Sequence, residues 1–119
     1  ADAVSLINTL RGMRIDVNTH RPILKMNTGG LSGPAVLPVA VRMVWEVHNA
    51  VSLPIVGVGG VMTGADAAEF ILAGATSVSV GMANLVDPMA APRILGELTE
   101  WAESQGVSSI SELIGAFEG

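Results

Sequence analysis

The sequence has no cysteine and only four aromatic residues, two Phe and two Trp, among its 119 positions. Without cysteine, disulfides, thiolate metal sites and cysteine nucleophiles are excluded within it, and a reducing, cytoplasmic setting is expected. Basic residues are also few. Six Lys and Arg stand against eleven Asp and Glu, a net charge of −5, which argues against nucleic-acid binding by the chain as a whole. That deficit leaves a local phosphate site possible, because backbone amides alone can build one. No apolar run reaches the roughly 18 residues of a membrane helix, and no basic stretch precedes an apolar one at the start. Neither a membrane span nor a signal peptide is expected.

What is present is apolar. Half of the chain is hydrophobic, mostly Val, Ala, Leu and Ile, and only 14% is charged. This composition suits strands buried on both faces and the helices that cover them. The start Ala1-Asp2-Ala3, directly before the apolar run Val4 to Ile7, predicts further sequence upstream.

Strand-like and helix-like segments alternate. Val4 to Ile7 reads as a short strand ending at Asn8-Thr9. Arg11 to Lys25 reads as a long irregular loop with room for a small hairpin, and Thr28 to Pro34 as a glycine-rich loop. A helix is predicted from about Pro38 to Ala50, because Val36, Val39, Ala40, Met43, Val44, Val47 and Val51 recur at spacings of three and four. Ile55 to Val58 is a strand running into Gly59-Gly60. Thr63 with Asp66 has the spacing of a capping box, and Gly74 is a natural stop for the helix between them. Ser77 to Val80 is the next strand. Asp87-Pro88 opens another helix whose buried face is read as Ile94, Leu95, Leu98, Trp101 and Ala102, ending near Gly106. Ser109 and Glu112 have capping-box spacing for a last short helix.

Short strands separated by helices imply a parallel sheet, either open and doubly wound or closed as a barrel. Three parallel strands in an open sheet would leave much of this apolar surface uncovered, so a barrel segment is the preferred reading. A complete barrel takes about 250 residues.

Ligands of parallel β/α folds sit at the carboxyl ends of the strands. Three glycine turns lie there. Gly59-Gly60 lets backbone N–H groups approach an anion with no Cβ in the way, and the helix that follows is expected to add its positive end. Gly81-Met82 occupies the same position one strand later, and the loops after neighbouring barrel strands often share a phosphate. The backbone from Gly29 to Gly33 is expected to lie against a flat ring. Glycine pairs also occur at tight turns for conformational reasons alone. Asn8 offers donor and acceptor together to an imide or carboxylate edge, and equally suits a residue that merely ends a strand. His20 and His48 read as surface residues, and Trp45 and Trp101 as packing against the barrel. Asp16, Asp66 and Asp87 read as turn or cap residues. A valine at Gly59 is expected to exclude a ligand without unfolding the chain.

Several stretches read together are more specific. Ile7-Asn8-Thr9-Leu10, Thr28-Gly29-Gly30-Leu31-Ser32-Gly33-Pro34-Ala35 and Pro38-Val39-Ala40-Val41-Arg42-Met43-Val44 resemble dihydroorotate dehydrogenase. Gly57-Val58-Gly59-Gly60-Val61, Ala73-Gly74-Ala75 and Val80-Gly81-Met82-Ala83-Asn84 continue the resemblance, in order, over nearly the whole chain. It is similar to the class 1 catalytic subunit, and within it to the NAD-linked 1B branch.

The resemblance implies an α/β fold in which residues 1–119 form the C-terminal segment of a single FMN-binding (β/α)8 TIM barrel, about strands 6–8 with their helices. The N-terminal half would lie upstream. It implies FMN-dependent oxidation of dihydroorotate to orotate in de novo pyrimidine (UMP) biosynthesis. By position, Ile7, Gly33, Gly59, Gly60, Gly81 and Met82 would contact the flavin, and Asn8 and Thr9 the substrate. The family's general-base cysteine and flavin-adjacent lysine would lie upstream, which leaves no catalytic residue here. A homodimer is implied, together with an electron-transfer subunit carrying FAD and a 2Fe-2S cluster if the branch is 1B. Three positions depart from the pattern: Met82 stands where threonine is usual, Leu37 replaces a lysine, and Asn27 is atypical. Two other readings are kept. One is a different FMN- or phosphate-binding TIM-barrel oxidoreductase, and the other is a structural segment that catalyses nothing alone.

Overall fold

The computed structural model describes residues 1–119. Three short parallel strands form its sheet in the order β1, β6, β7. They are β1 (Val4–Leu6), β6 (Ile55–Val58) and β7 (Ser77–Ser79). Val4 pairs with Ile55, and Gly57 lies between Leu6 and Val78. Each crossover is helical. A 3-10 turn (Pro34–Val36) leads into α1 (Leu37–Ala50) between β1 and β6, and α2 (Gly64–Ala73) joins β6 to β7. After β7 come the short α3 (Ala83–Val86), α4 (Ala90–Ser104) and a 3-10 turn (Ile110–Leu113). This is the repeating β/α unit of a barrel wall, as the sequence predicts.

The core lies between the sheet and its helices. Phe70 of α2, Ile55 of β6 and Val44 of α1 are its largest fully buried side chains. Gly57 is glycine because a Cβ there would sit 3.0 Å or closer to the Phe70 ring. The composition predicts strands covered on both faces, and here only one face is. The opposite face carries Ser5, Ser77 and Ser79, all exposed. The inner face of a barrel strand is covered by side chains from strands across the barrel, and three adjacent strands cannot supply that contact.

Caps agree with the sequence. Thr63 Oγ1 accepts from the Asp66 amide (3.2 Å), and Asp66 Oδ2 accepts from the Thr63 amide (2.9 Å). Gly74 closes α2 at φ 120°, a conformation that favours glycine. Ser109 and Glu112 form the second capping box, on a 3-10 turn.

The stretch from Leu10 to Leu31 holds the small hairpin that the sequence allows, and differs from expectation in its second ladder. β2 (Leu10–Met13) pairs antiparallel with β5 (Thr28–Leu31), and β3 (Ile15–Asp16) pairs with β4 (Arg21–Pro22). Thr28 to Leu31 is thus a ladder strand, not a loop. Its pairing partner lies well upstream, and local glycine content carries no signal of such a contact. Asn27, atypical by resemblance, sits at φ 65°, which asparagine tolerates better than most residues.

Two packing expectations fail. Trp45 is 44% exposed, on a groove of about 560 Å3 shared with Arg42, Leu72 and Phe117. Leu95 is 64% exposed. Both lie on the outward side of their helices, where helical spacing alone does not separate core from groove. No helix is long and apolar enough to cross a membrane.

Candidate flavin phosphate site

A cavity of about 270 Å3 opens at the carboxyl ends of β1, β6 and β7. All eight residues singled out from the sequence line it: Ile7, Asn8, Thr9, Gly33, Gly59, Gly60, Gly81 and Met82. Its volume falls just short of the roughly 300–1,000 Å3 that holds a whole small ligand, so it suits one part of a larger one. Leu31 and Ser32 belong to the Gly29–Gly33 segment already singled out, while sequence reading missed Val36, Val58, Val61, Met62 and Leu85, which complete the lining. They are apolar residues with no chemical signature of their own. Proximity in sequence to the glycine turns was the one available signal, and it reaches all of them except Leu85.

Each wall has a local cause. The Ile7 amide donates to Val58 O (2.8 Å), which extends the β1–β6 pairing and sets Asn8 at the cavity edge. Asn8 Oδ1 accepts from the Thr9 amide (2.8 Å), so its oxygen is engaged and its NH2 group has no partner in the chain. Thr9 packs against Gly30, where any Cβ would overlap the threonine side chain. Gly29 and Gly30 are therefore ladder residues beside Thr9, and the expected ring contact of that segment narrows to Leu31, Ser32 and Gly33. Asn84 Nδ2 donates to Val80 O (2.8 Å) and fixes the turn after β7.

The glycines divide into two kinds. Gly33 (φ 95°), Gly59 (φ 133°) and Gly60 (φ 79°) are required by the protein's own geometry. A Cβ on Gly60 would lie 2.7 Å from Leu37 N and 2.9 Å from Gly33 O. One on Gly59 would meet Ala40 Cβ at 3.2 Å and Ile7 Cγ1 at 3.3 Å, a tight fit between the core and the cavity wall. A valine at Gly59 would therefore strain the turn as well as affect a ligand, contrary to the expectation of a clean block. Gly81 is different. Its φ is unremarkable, and a Cβ there would meet nothing within 4 Å. Met82, the departure from threonine, brings its Cε to 3.0 Å from where a Gly33 Cβ would be and so closes the cavity on that side.

A phosphate fits these groups. The amides of Gly59, Gly60, Val61, Gly81 and Met82 donate to no other group of the chain, and all five residues line the cavity. Immediately downstream the pattern inverts. Met62 N and Thr63 N donate to Asp66 Oδ2 (2.8 and 2.9 Å), and Gly64 N donates to Glu97 Oε2 (2.6 Å). The positive end of α2 is thus occupied by two carboxylates of the chain itself. The expected contribution of that helix end to an external anion is replaced by the free amides of the turn before it. The Gly64 amide, and after it the Arg93 guanidinium, hold the Glu97 carboxyl below the ordinary glutamate value.

No lining residue titrates near neutrality. The cavity can bind, orient and exclude water, but it carries no general base. His20 and His48 are exposed and lie outside it, as expected.

Comparison with known proteins identifies the family. Residues 1–101 match the family model described as dihydroorotate dehydrogenase. The chain is 58% identical over 118 residues to the dihydroorotate dehydrogenase B (NAD(+)) catalytic subunit of Geobacter metallireducens, and 59% identical over 116 residues to that of Desulforudis audaxviator. These alignments cover 99% and 98% of the chain but 39% and 38% of the relatives, so the chain spans about two fifths of their length. A crystal structure of the Eimeria tenella dihydroorotate dehydrogenase in complex with ferulenol superposes with a TM-score of 0.79 at 28% identity, over 97% of this chain and 31% of that one. With a strand-end cavity, a β/α wall and a family match over most of its residues, the chain belongs to the dihydroorotate dehydrogenase family.

Proposed function

We propose that this chain forms the phosphate-binding wall and part of the substrate wall of an FMN-dependent dihydroorotate dehydrogenase that oxidises dihydroorotate to orotate. The carrying observation is the set of unpartnered amides at Gly59, Gly60, Val61, Gly81 and Met82 around one cavity. Neutral donors on a rigid backbone suit a phosphate dianion without requiring a Lys or Arg. When bound, FMN supplies the two-electron acceptor that the oxidation needs.

The chain's own residues hold and orient. Gly33, Gly59, Gly60, Gly81 and Met82 offer backbone to the flavin, and Ile7 gives it an apolar contact. The free NH2 group of Asn8 faces a pyrimidine carbonyl or carboxylate edge, with the Thr9 hydroxyl beside it. Val36, buried in the wall, gives this part of the site an apolar floor. Proton removal from dihydroorotate requires a base that no residue of the cavity supplies, so it comes from outside this segment. That observation also favours the second reading, in which residues 1–119 alone bind without turning over substrate.

The relatives are named as NAD(+)-linked catalytic subunits. We extend that to a homodimer of the whole protein, with an electron-transfer subunit carrying FAD and a 2Fe-2S cluster, acting in the cytoplasm. The test is to reconstitute apoprotein with FMN, as residues 1–119 alone and as the full-length protein, following flavin absorbance and dihydroorotate-dependent dye reduction. A yellow, active full-length protein supports the reading. A full-length protein that takes up no FMN, or takes it up and leaves dihydroorotate unoxidised, overturns it.

A further inference from the structure

Arg93, on α4, touches the residue after one glycine turn and the end of the short helix that follows the other. Its Nη1 donates to Met62 O (3.2 Å), the residue that follows the Gly59-Gly60-Val61 amides. Its Nε lies 3.6 Å from Asp87 Oδ2. Asp87 closes α3, the short helix that begins at Gly81-Met82, through its amide to Ala83 O (2.8 Å). Asp87 Oδ1 also accepts from the Met89 amide (2.9 Å). The same guanidinium pairs with Glu97 Oε1 (3.0 Å), while the other oxygen of Glu97 takes the Gly64 amide (2.6 Å). One arginine and one glutamate therefore span from the turn after β6 to the turn after β7. On the β6 side they do so through the Met62 carbonyl and the Gly64 amide, and on the β7 side through the Asp87 carboxylate at the end of α3.

The contact is close as well as polar. A Cβ on Gly64 would lie 2.6 Å from Leu98 N, so α4 runs directly against the start of α2. That proximity is what lets Glu97 reach an amide 33 positions away.

The arrangement has an electrostatic consequence. Asp66, Asp87 and Glu97 are three carboxylates bonded next to the two turns and outside the cavity lining, and their charge opposes an incoming phosphate dianion. Arg93 is the cation that pairs with two of them. Removing it would leave both carboxylates without a counter-charge, each held only by one backbone amide.

We propose that Arg93, supported by Glu97, is a positioning residue that holds the two glycine turns at the spacing a flavin phosphate requires. The inference rests on the FMN reading above and deepens it. Neither residue lines the cavity, so neither is a catalytic residue.

The test compares FMN with riboflavin, which has the same ring system and no phosphate. Apoprotein of the full-length enzyme is titrated with each flavin by fluorescence quenching, and its thermal midpoint is recorded without flavin. Arg93→Met is expected to lower the FMN-over-riboflavin affinity ratio about tenfold, the scale on which outer hydrogen-bonded supports act on a bound group. Riboflavin affinity is expected to stay near the wild-type value. Glu97→Gln keeps an oxygen for the Gly64 amide and is expected to retain most of the preference. Arg93→Lys, with a single donor head that cannot span both turns, is expected to fall between. If Arg93→Met does not fold, Arg93→Lys carries the comparison.

A wild-type ratio in the Arg93 variants overturns the proposal. So does an equal loss of both flavins alongside a lowered apoprotein midpoint, which is the signature of a general brace. A wild-type protein that binds the two flavins equally would instead sink the phosphate-cradle reading itself, and the proposal with it.

Discussion

A Cβ placed on Gly60 would lie 2.7 Å from the backbone nitrogen of Leu37, the first residue of α1. The turn after β6 and the start of α1 are in backbone contact there, with the Gly33 carbonyl also 2.9 Å away. Gly60→Ala is expected to destabilise the protein by about 1–3 kcal/mol, combining a left-handed φ for a non-glycine residue with steric overlap. Thermal or urea unfolding of the full-length protein measures this. Unchanged stability would mean that the turn adopts another conformation.

Gly81 gives the complementary result. Nothing surrounds its would-be Cβ, and its backbone is not in the glycine region. Gly81→Val is expected to leave stability within about 0.5 kcal/mol of wild type. The purified protein should nonetheless lose most of its flavin, because the new methyl groups stand in the space reserved for the ligand. Flavin content by absorbance, with a melting curve in parallel, checks both halves.

Asn8→Asp keeps the oxygen that accepts from Thr9 N and removes the free NH2 group. A carboxylate there would repel an anionic substrate. The loss of a hydrogen bond to a charged group, about 1.5–3 kcal/mol, predicts a KM for dihydroorotate raised roughly 10- to 100-fold. Steady-state kinetics of the full-length enzyme at constant FMN occupancy is the measurement. A wild-type KM would remove Asn8 from the substrate wall.

Phe70 is completely buried between β6 and the helices, and Gly57 is shaped around its ring. Phe70→Ala is expected to cost about 3–5 kcal/mol by leaving a cavity in the only sizeable core. Chemical denaturation gives the value.

Acid stability has a defined sign. The Gly64 amide first, then Arg93, depresses the folded-state pKa of Glu97 below its unfolded value. The stability this contributes is complete above the unfolded pKa, near 4.3. It is lost as pH falls through the lower folded value. Asp16 and Glu112, lowered chiefly by the Asn18 and Ser109 amides, act in the same direction. Glu97→Gln is expected to flatten the acid limb of the midpoint–pH curve and leave its neutral region parallel to wild type.

Local signals were legible where local chemistry decides. Thr63 with Asp66, Ser109 with Glu112, and Gly74 mark helix ends because a cap is a contact within four residues. The apolar spacing of α1 and the compact run of β6 likewise report on neighbours in the chain. The β2–β5 ladder was not legible, since Thr28–Leu31 becomes a strand only when Leu10–Met13 lies beside it. The outward positions of Trp45 and Leu95 depend on which helix face meets a neighbour, and periodicity does not identify the neighbour.

The candidate site divides along the same line. By itself, the sequence determined that glycines end two parallel strands, that Asn8 ends a third, and that no cysteine or basic cluster accompanies them. These are facts of residue type and spacing, and they marked the strand-end turns; the full set of eight positions is what the resemblance to the family implied. Only the tertiary structure decided which amides are free and which are filled. Asp66 and Glu97 occupy the end of α2, so an incoming anion is left the amides from Gly59 to Val61 together with Gly81 and Met82. It also decided that Gly60 is required by its own neighbours and Gly81 by none. The reason is physical: whether an N–H group is available, or a Cβ has room, depends on atoms that the fold brings from tens of positions away.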